Sequence, residues 1–220
     1  MNEYSFILIK EFQMTPRYKN ENRMKLMDET RQHLIKAAID EFANEGFDGA
    51  SISRITRAAG VATGTIYNYF PSKNELMLTL LDEIGAEHCS YIAEQIRQES
   101  DHVLRLKRLL AVTFDYVKAN PNQARVLFAS MQGVNRQFKT QLNQIYEPMM
   151  QLICEEILIP GMQQGVFQAA DPVKTAMMIM TFYLGVGSTA DENGVTPLDM
   201  DAVSDFVLRA LGVNLTSVQK

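Results

Sequence analysis

Between Ser51 and Lys73 the chain gathers small hydroxyls, an amide and two phenols: Ser51, Ser53, Thr63, Thr65, Asn68, Tyr67 and Tyr69. Arg54, Arg57 and Lys73 stand beside them, and Gly64 leaves the backbone bare. Groups of this size and polarity suit a helix laid in a major groove, where they meet phosphate oxygens and base edges. Lys73 has the reach of a phosphate ligand, and Tyr67 offers a phenol to a phosphate and a ring to orient the helix.

The elements that must hold these groups are written in the same stretch. Ser51 can cap a helix whose buried face is Ile52, Ile55, Ala58 and Ala59, one side of a 3.6-residue period. Gly60 stops it, because a chain that reverses at once needs positive φ without a Cβ clash. A second short helix is expected over residues 63 to 70, with Val61 and Ile66 packing back on the first. Pro71 forbids its continuation, and Ser72-Lys73-Asn74-Glu75 is a capping box that opens a long helix over residues 72 to 98.

These residues closely resemble the helix-turn-helix of the TetR family (TetR/AcrR type) of bacterial transcription regulators. Upstream, Ile35, Ala38, Phe42, Gly46 and Phe47 resemble that domain's first helix and the turn after it. Downstream, Tyr67, Tyr69, Phe70, Lys73 and Leu76 resemble the end of the recognition helix and the start of the fourth. The likeness covers about residues 29 to 89 and is carried most specifically by AGVATGTIYNYFPSK. Thr56 departs from it, standing where the family more often has Ala; its hydroxyl can bond back to the preceding turn.

Charge is distributed accordingly. The chain of 220 residues has a net charge of −5. Residues 17 to 80 hold nine basic groups against eight acidic ones, and residues 81 to 220 hold eleven against sixteen, so the acid lies away from the reader. Arg17, Lys19, Arg23, Lys25 and Arg31 lead into the first helix, where an arm could reach phosphates. Cys89 and Cys154 form no metal or redox spacing. His33, His88 and His102 share no ligand-like spacing with carboxylates or thiols, and no glycine-rich phosphate loop is present, which argues against an enzyme and against a bound metal or cofactor. The apolar run from Phe6 to Ile9 is too short for a signal sequence, and the uncharged stretch from Thr175 to Ala190 is too short for a membrane span. A cytoplasmic protein is expected, with residues 1 to 28 a flexible leader in which Met14, Met24 and Met27 are alternative starts.

The rest reads as helix throughout: an all-α chain of about nine helices, with a DNA-binding domain over residues 29 to 89 and an effector-binding and dimerisation domain over residues 90 to 220. Beyond the reader, helices are expected at 102 to 119, 121 to 132, 134 to 158, 172 to 189 and 199 to 211. The helix over 172 to 189 is apolar on nearly every side and must be covered all round. The last helix has a stripe of Val203, Phe206, Val207 and Ala210. A two-fold homodimer through both helices is expected, with Ala176, Met180, Tyr183 and Gly187 at the interface, as the resemblance implies. Two readers so joined address half-sites about 34 to 36 Å apart, or a multiple, on a pseudo-palindromic operator.

Large, adaptable apolar side chains fill the region between. Phe114, Phe128, Met131, Phe138, Tyr146, Met150 and Met178 are candidates to line a cavity for a small, largely apolar effector, with Arg125, Gln132, Asn135 and Glu147 as polar candidates. The resemblance implies a repressor released from its operator when the effector shifts the long helix after the reader. A 100-fold release requires about 2.7 kcal/mol of coupling. The alternative is a DNA-binding regulator whose C-terminal half docks a protein and takes no small molecule.

Overall fold

A computed structural model describes residues 16–168, 171–191 and 193–215, with side chains from residue 23 onward. Its described residues form helices and no strand: α1 (Pro16–Gly49), α2 (Ile52–Ala58), a 3-10 helix (Thr63–Asn68), α3 (Lys73–Arg97), α4 (His102–Ala119), α5 (Pro121–Gln132), α6 (Arg136–Leu152), a π segment (Ile153–Leu158), α7 (Ile159–Gln163), α8 (Pro172–Gly187) and α9 (Met200–Ala210).

The first helix starts earlier than expected, at Pro16, so residues 16 to 28 are helical and only residues 1 to 15 of the expected leader, Met14 among them, lie outside the described residues. The side chains of Arg17 and Lys19 also lie outside them. Gly46 interrupts α1 with φ of 68°, a conformation that a Cβ disfavours. Gly60 takes φ of 73° at the reversal after α2, as its position requires. The reader's core is Leu34, Ile35, Ala38, Phe42, Ile55, Ile66, Phe70 and Leu76. Ala58, expected in that core, is exposed, and Thr56 is buried in its place. The Thr56 hydroxyl donates to the Ile52 carbonyl at 3.0 Å, one turn back in its own helix.

Helix α3 joins the two halves without a break, so the expected boundary near residue 89 falls inside it. Ser72 caps it, its Oγ accepting the Glu75 N–H at 3.1 Å. Its buried stripe, Leu76, Leu80, Ile84, His88, Ile92 and Ile96, repeats at every fourth residue and lies mainly against α6 and α4. Asp101 and Asp171 cap α4 and α8 by accepting the N–H of Leu104 and Lys174, and Pro172 sits where a helix has no use for its missing donor. The helix expected over residues 134 to 158 changes register. Its end, Ile153–Leu158, is a π segment that runs into α7, where Pro160 cannot donate to the preceding turn. Arg105 Nη1 supplies a donor to the Glu156 carbonyl at 3.0 Å.

Candidate functional site

The first candidate site is the 3-10 helix and its surroundings. Thr63, Gly64, Tyr67 and Asn68 are exposed, with Tyr67 54% accessible despite its ring. Thr65 and Tyr69 are half-buried, and Ile66 anchors the segment in the core. The expected α-helix over 63 to 70 is tighter and shorter, because Gly64 and the β-branched Thr65 are weak helix formers and Pro71 follows at once. Ser53 and Arg57 are exposed on α2 beside it.

Three expected contact residues bond to the protein itself. Lys73 Nζ donates to the carbonyls of Phe47, Asp48 and Ala50 at 2.7, 3.3 and 3.1 Å and stands 4.8 Å from the Phe47 ring centroid. An ammonium has three donors, and these contacts fasten the end of α1 to the start of α3. Arg54 is likewise engaged. Its Nε donates to Glu41 Oε1 at 2.7 Å and its Nη2 to the Gly49 carbonyl at 2.8 Å. Ser51 holds the N-cap position of α2, yet its side chain makes no cap; its backbone N–H donates to the same Glu41 oxygen at 2.7 Å. Glu41 thus organises the turn, a role that its sequence position did not reveal.

The second candidate site is a cavity of about 720 Å³ between α6 and α8. Leu142, Tyr146 and Met150 from α6 face Met177, Met180 and Leu184 from α8, at spacings of three and four residues on both helices. Met131 lines it from α5, and Lys139, Asn143, Glu147 and Thr181 supply polar groups.

Of the residues expected to line an effector cavity, Met131, Tyr146 and Met150 line this one and four do not. Phe114 packs with Val186 and Val203 in a separate cluster. Phe128 occupies the space beside Gly187, where a Cβ would lie 2.5 Å from its Cζ. Phe138 meets the Phe47 ring edge-on at 4.9 Å, joining the reader to α6. Met178 is 70% exposed and lines a different groove, with Phe206, between α8 and α9. Among the polar candidates only Glu147 reaches the cavity: Asn135 caps α6, and Arg125 bonds the Ala43 carbonyl of α1.

The expected interface residues divide too. Ala176, Met180, Tyr183, Gly187, Val203 and Val207 are buried within the protomer, whereas Phe206 and Ala210 are exposed. Helix α8 has only one outward stripe, Val173, Met177, Met178, Thr181 and Gly185, because its other sides are covered by the same chain. Phe182 and Phe206 stack at 5.4 Å and tie the two helices together.

Beneath the cavity lies a buried polar cluster. His88, 2% accessible, sits between two phenols: Tyr146 Oη lies 2.7 Å from its Nδ1 and Tyr183 Oη 2.9 Å from its Nε2. The imidazole stacks on Tyr116 at 4.3 Å. Burial lowers the His88 pKa to about 4, so the ring is neutral at physiological pH. The neighbouring Cys89 thiol is pushed up to about 12 by burial and is inert as a nucleophile. Among the described residues no group of three His, Cys, Asp or Glu side chains could hold a metal ion, and no helix is long and apolar enough to cross a membrane.

A helix-turn-helix ahead of a helical cavity is a combination that sequence comparison resolves. The profile of bacterial regulatory proteins of the tetR family matches residues 34–80, and that of the C-terminal region of YsiA-like proteins matches residues 81–191. The chain belongs to the TetR family. It is a transcription regulator whose N-terminal helix-turn-helix is the DNA-binding domain. It is 26% identical to the fatty acid metabolism regulator protein of Bacillus subtilis over 184 residues, 81% of this chain and 91% of that one. Among solved structures it resembles the fatty acid degradation regulator FadR of Bacillus halodurans, with a TM-score of 0.70, 26% identity and coverage of 84% and 96% of the two chains. FadR of Bacillus subtilis in complex with stearoyl-CoA shares the fold at a TM-score of 0.69, with 24% identity and coverage of 82% and 97%.

Proposed function

We propose that this TetR-family regulator is a homodimeric repressor whose effector is a long-chain acyl thioester, and that the acyl chain enters the cavity between α6 and α8. The observation that carries the reading is the cavity itself: four Met side chains, two Leu and a Tyr make an adaptable apolar lining, with Lys139, Asn143, Glu147 and Thr181 left for a polar head. Similarity to a fatty acid metabolism regulator across 81% of the chain supports the ligand class. Val173, Met178 and Gly185 on the outward side of α8, together with Phe206 and Ala210, serve as the dimer face, and Ser53, Arg57, Thr63, Gly64, Thr65, Tyr67, Asn68 and Tyr69 supply the operator contacts.

In this reading the unliganded dimer holds its readers at half-site spacing. Filling the cavity displaces α6 against α3, and α3 carries the change to the reader, to which it is joined directly through Ser72 and Lys73. Since binding of effector and of operator are linked, the ligand must stabilise the free protein and weaken operator affinity by one and the same coupling. Thermal shift and operator titration with stearoyl-CoA, coenzyme A alone and stearate test the proposal. The expected result is stabilisation and release from DNA by stearoyl-CoA well beyond those by either half. Equal effects of coenzyme A alone would place the recognition outside the apolar cavity and overturn it.

A further inference from the structure

The polar cluster beneath the cavity spans three helices. His88 of α3 lies 2.7 Å through Nδ1 from the Tyr146 hydroxyl of α6 and 2.9 Å through Nε2 from the Tyr183 hydroxyl of α8. A neutral imidazole has one N–H and one acceptor nitrogen, so one phenol donates to the ring and the other accepts from it. The ladder Tyr146, His88, Tyr183 crosses α6, α3 and α8.

Of these three residues, Tyr146 is the one that lines the cavity. One turn before His88, Gly85 lets α6 come close, since a Cβ there would lie 2.6 Å from Ile145 Cγ2. The crossing of α3 and α6 is therefore close-packed at the residue next to Tyr146, and a shift of the phenol cannot be absorbed locally. His88 stands about 22 Å along α3 from Lys73, given 1.5 Å per residue. Through Lys73 it reaches the fastening of the reader.

We infer that Tyr146 is the positioning residue that reports occupancy of the cavity to the reader: its hydroxyl, bonded to His88, locks α3 in the operator-binding pose, and an effector seated against Tyr146 breaks that lock. The reason is exclusion. A ligand that turns the phenol or takes its hydrogen bond leaves one nitrogen of a buried histidine without its partner, which costs free energy, so a filled cavity and the locked pose oppose each other. This rests on the cavity being the effector site, as proposed above, but it makes a claim that needs no ligand. Removing one hydroxyl should imitate the effector.

The test uses the full-length dimer and an operator selected from random DNA. Without any ligand, Tyr146→Phe should weaken operator binding at least fivefold, and Tyr183→Phe, which cuts the ladder from the other side, should act in the same direction. Ile157→Val, at a buried residue outside the ladder, the cavity and the reader, should leave operator affinity unchanged. With saturating stearoyl-CoA, the factor by which ligand weakens operator binding should shrink at least fivefold in Tyr146→Phe. Unchanged ligand-free affinity in Tyr146→Phe overturns the inference. So does a loss that merely tracks the fraction of unfolded protein in thermal melts, or one matched by Ile157→Val, because then Tyr146 only packs. If the parent fails to bind stearoyl-CoA, the acyl-thioester reading falls, and the ligand-free arm still decides the lock.

Discussion

The reader and the effector half use their polar groups in opposite ways. In the reader, charged side chains clamp neighbouring backbone at the surface: Lys73 holds three carbonyls, and Glu41 gathers Arg54 and the Ser51 N–H. In the effector half the central polar groups are neutral and buried, with His88 locked between two phenols. Clamps of the first kind make a unit that moves as a body. A ladder of the second kind is cooperative, and in a low dielectric a single lost member is felt by every other. The difference assigns rigidity to the part that touches DNA and responsiveness to the part that meets the ligand.

The largest effect is expected where the exposed and buried faces of α9 meet. Phe206 is 61% accessible in the protomer, whereas its neighbour Val207 is buried. Phe206→Glu should therefore yield soluble, folded monomers that lose operator affinity by more than 100-fold, and Val207→Glu should yield insoluble protein, since it buries an unpaired carboxylate. Light scattering that found Phe206→Glu still dimeric would move the interface elsewhere.

Next in size is the response of the ladder to acid. Unfolded, His88 takes a proton below about pH 6.5, but in the folded chain only below about 4. The unfolded state binds more protons across that window, so the stability contributed by keeping His88 neutral is complete above pH 6.5 and drains away as pH falls toward 4, by roughly 3 kcal/mol in all. Urea denaturation of the parent and of His88→Gln at pH 7 and pH 4.5 isolates the histidine from the carboxylates that titrate in the same range. The parent should lose more stability than the variant. Equal losses would show that His88 is accessible to protons in the folded state.

The clamp should behave differently. Replacing Lys73 by Met removes three hydrogen bonds from one ammonium and should lower reader stability by roughly 2 kcal/mol, while the salt dependence of operator binding stays unchanged. Tyr67→Ala, at an exposed ring, should do the reverse: an unchanged melting temperature and operator affinity weakened about tenfold. A salt slope reduced by about one unit in the Lys73 variant would return that residue to the phosphates.

The sequence disclosed local syntax and concealed partners. Gly60, Pro71 and Ser72 announced their turn, stop and cap because each acts on its own backbone, within a few residues. The roles of Lys73 and Arg54 were hidden because their partners, Phe47 and Glu41, lie outside the local period and a basic side chain near a DNA motif reads as a phosphate ligand. In the effector half, Met and aromatic residues were legible as apolar but not as inward or outward. Met178 and Met180 differ by two residues on one helix, and only the neighbours of α8 decide that the first faces solvent and the second the cavity. His88 gave no signal at all, since its three aromatic neighbours come from α4, α6 and α8.

The smallest effect tests the reader's local self-sufficiency. Thr56 is buried where an alanine would serve, and its hydroxyl is spent on the Ile52 carbonyl one turn back, with the Ser53 carbonyl at 3.3 Å and Thr63 Oγ1 at 3.4 Å as weaker neighbours. A bond from a helical side chain to its own preceding turn adds little, because that carbonyl already takes part in the helix. Alanine also has the better helix propensity, by a few tenths of a kcal/mol over a β-branched residue. The two effects offset, so Thr56→Ala should change stability by less than about 0.5 kcal/mol. Operator affinity should stay within twofold of the parent. A stability loss above about 1 kcal/mol, read from chemical denaturation, would mean that the contact with Thr63 fastens the 3-10 helix to α2. The reader would then depend on a buried polar contact of the kind that the effector half uses, and the contrast between the two regions would narrow.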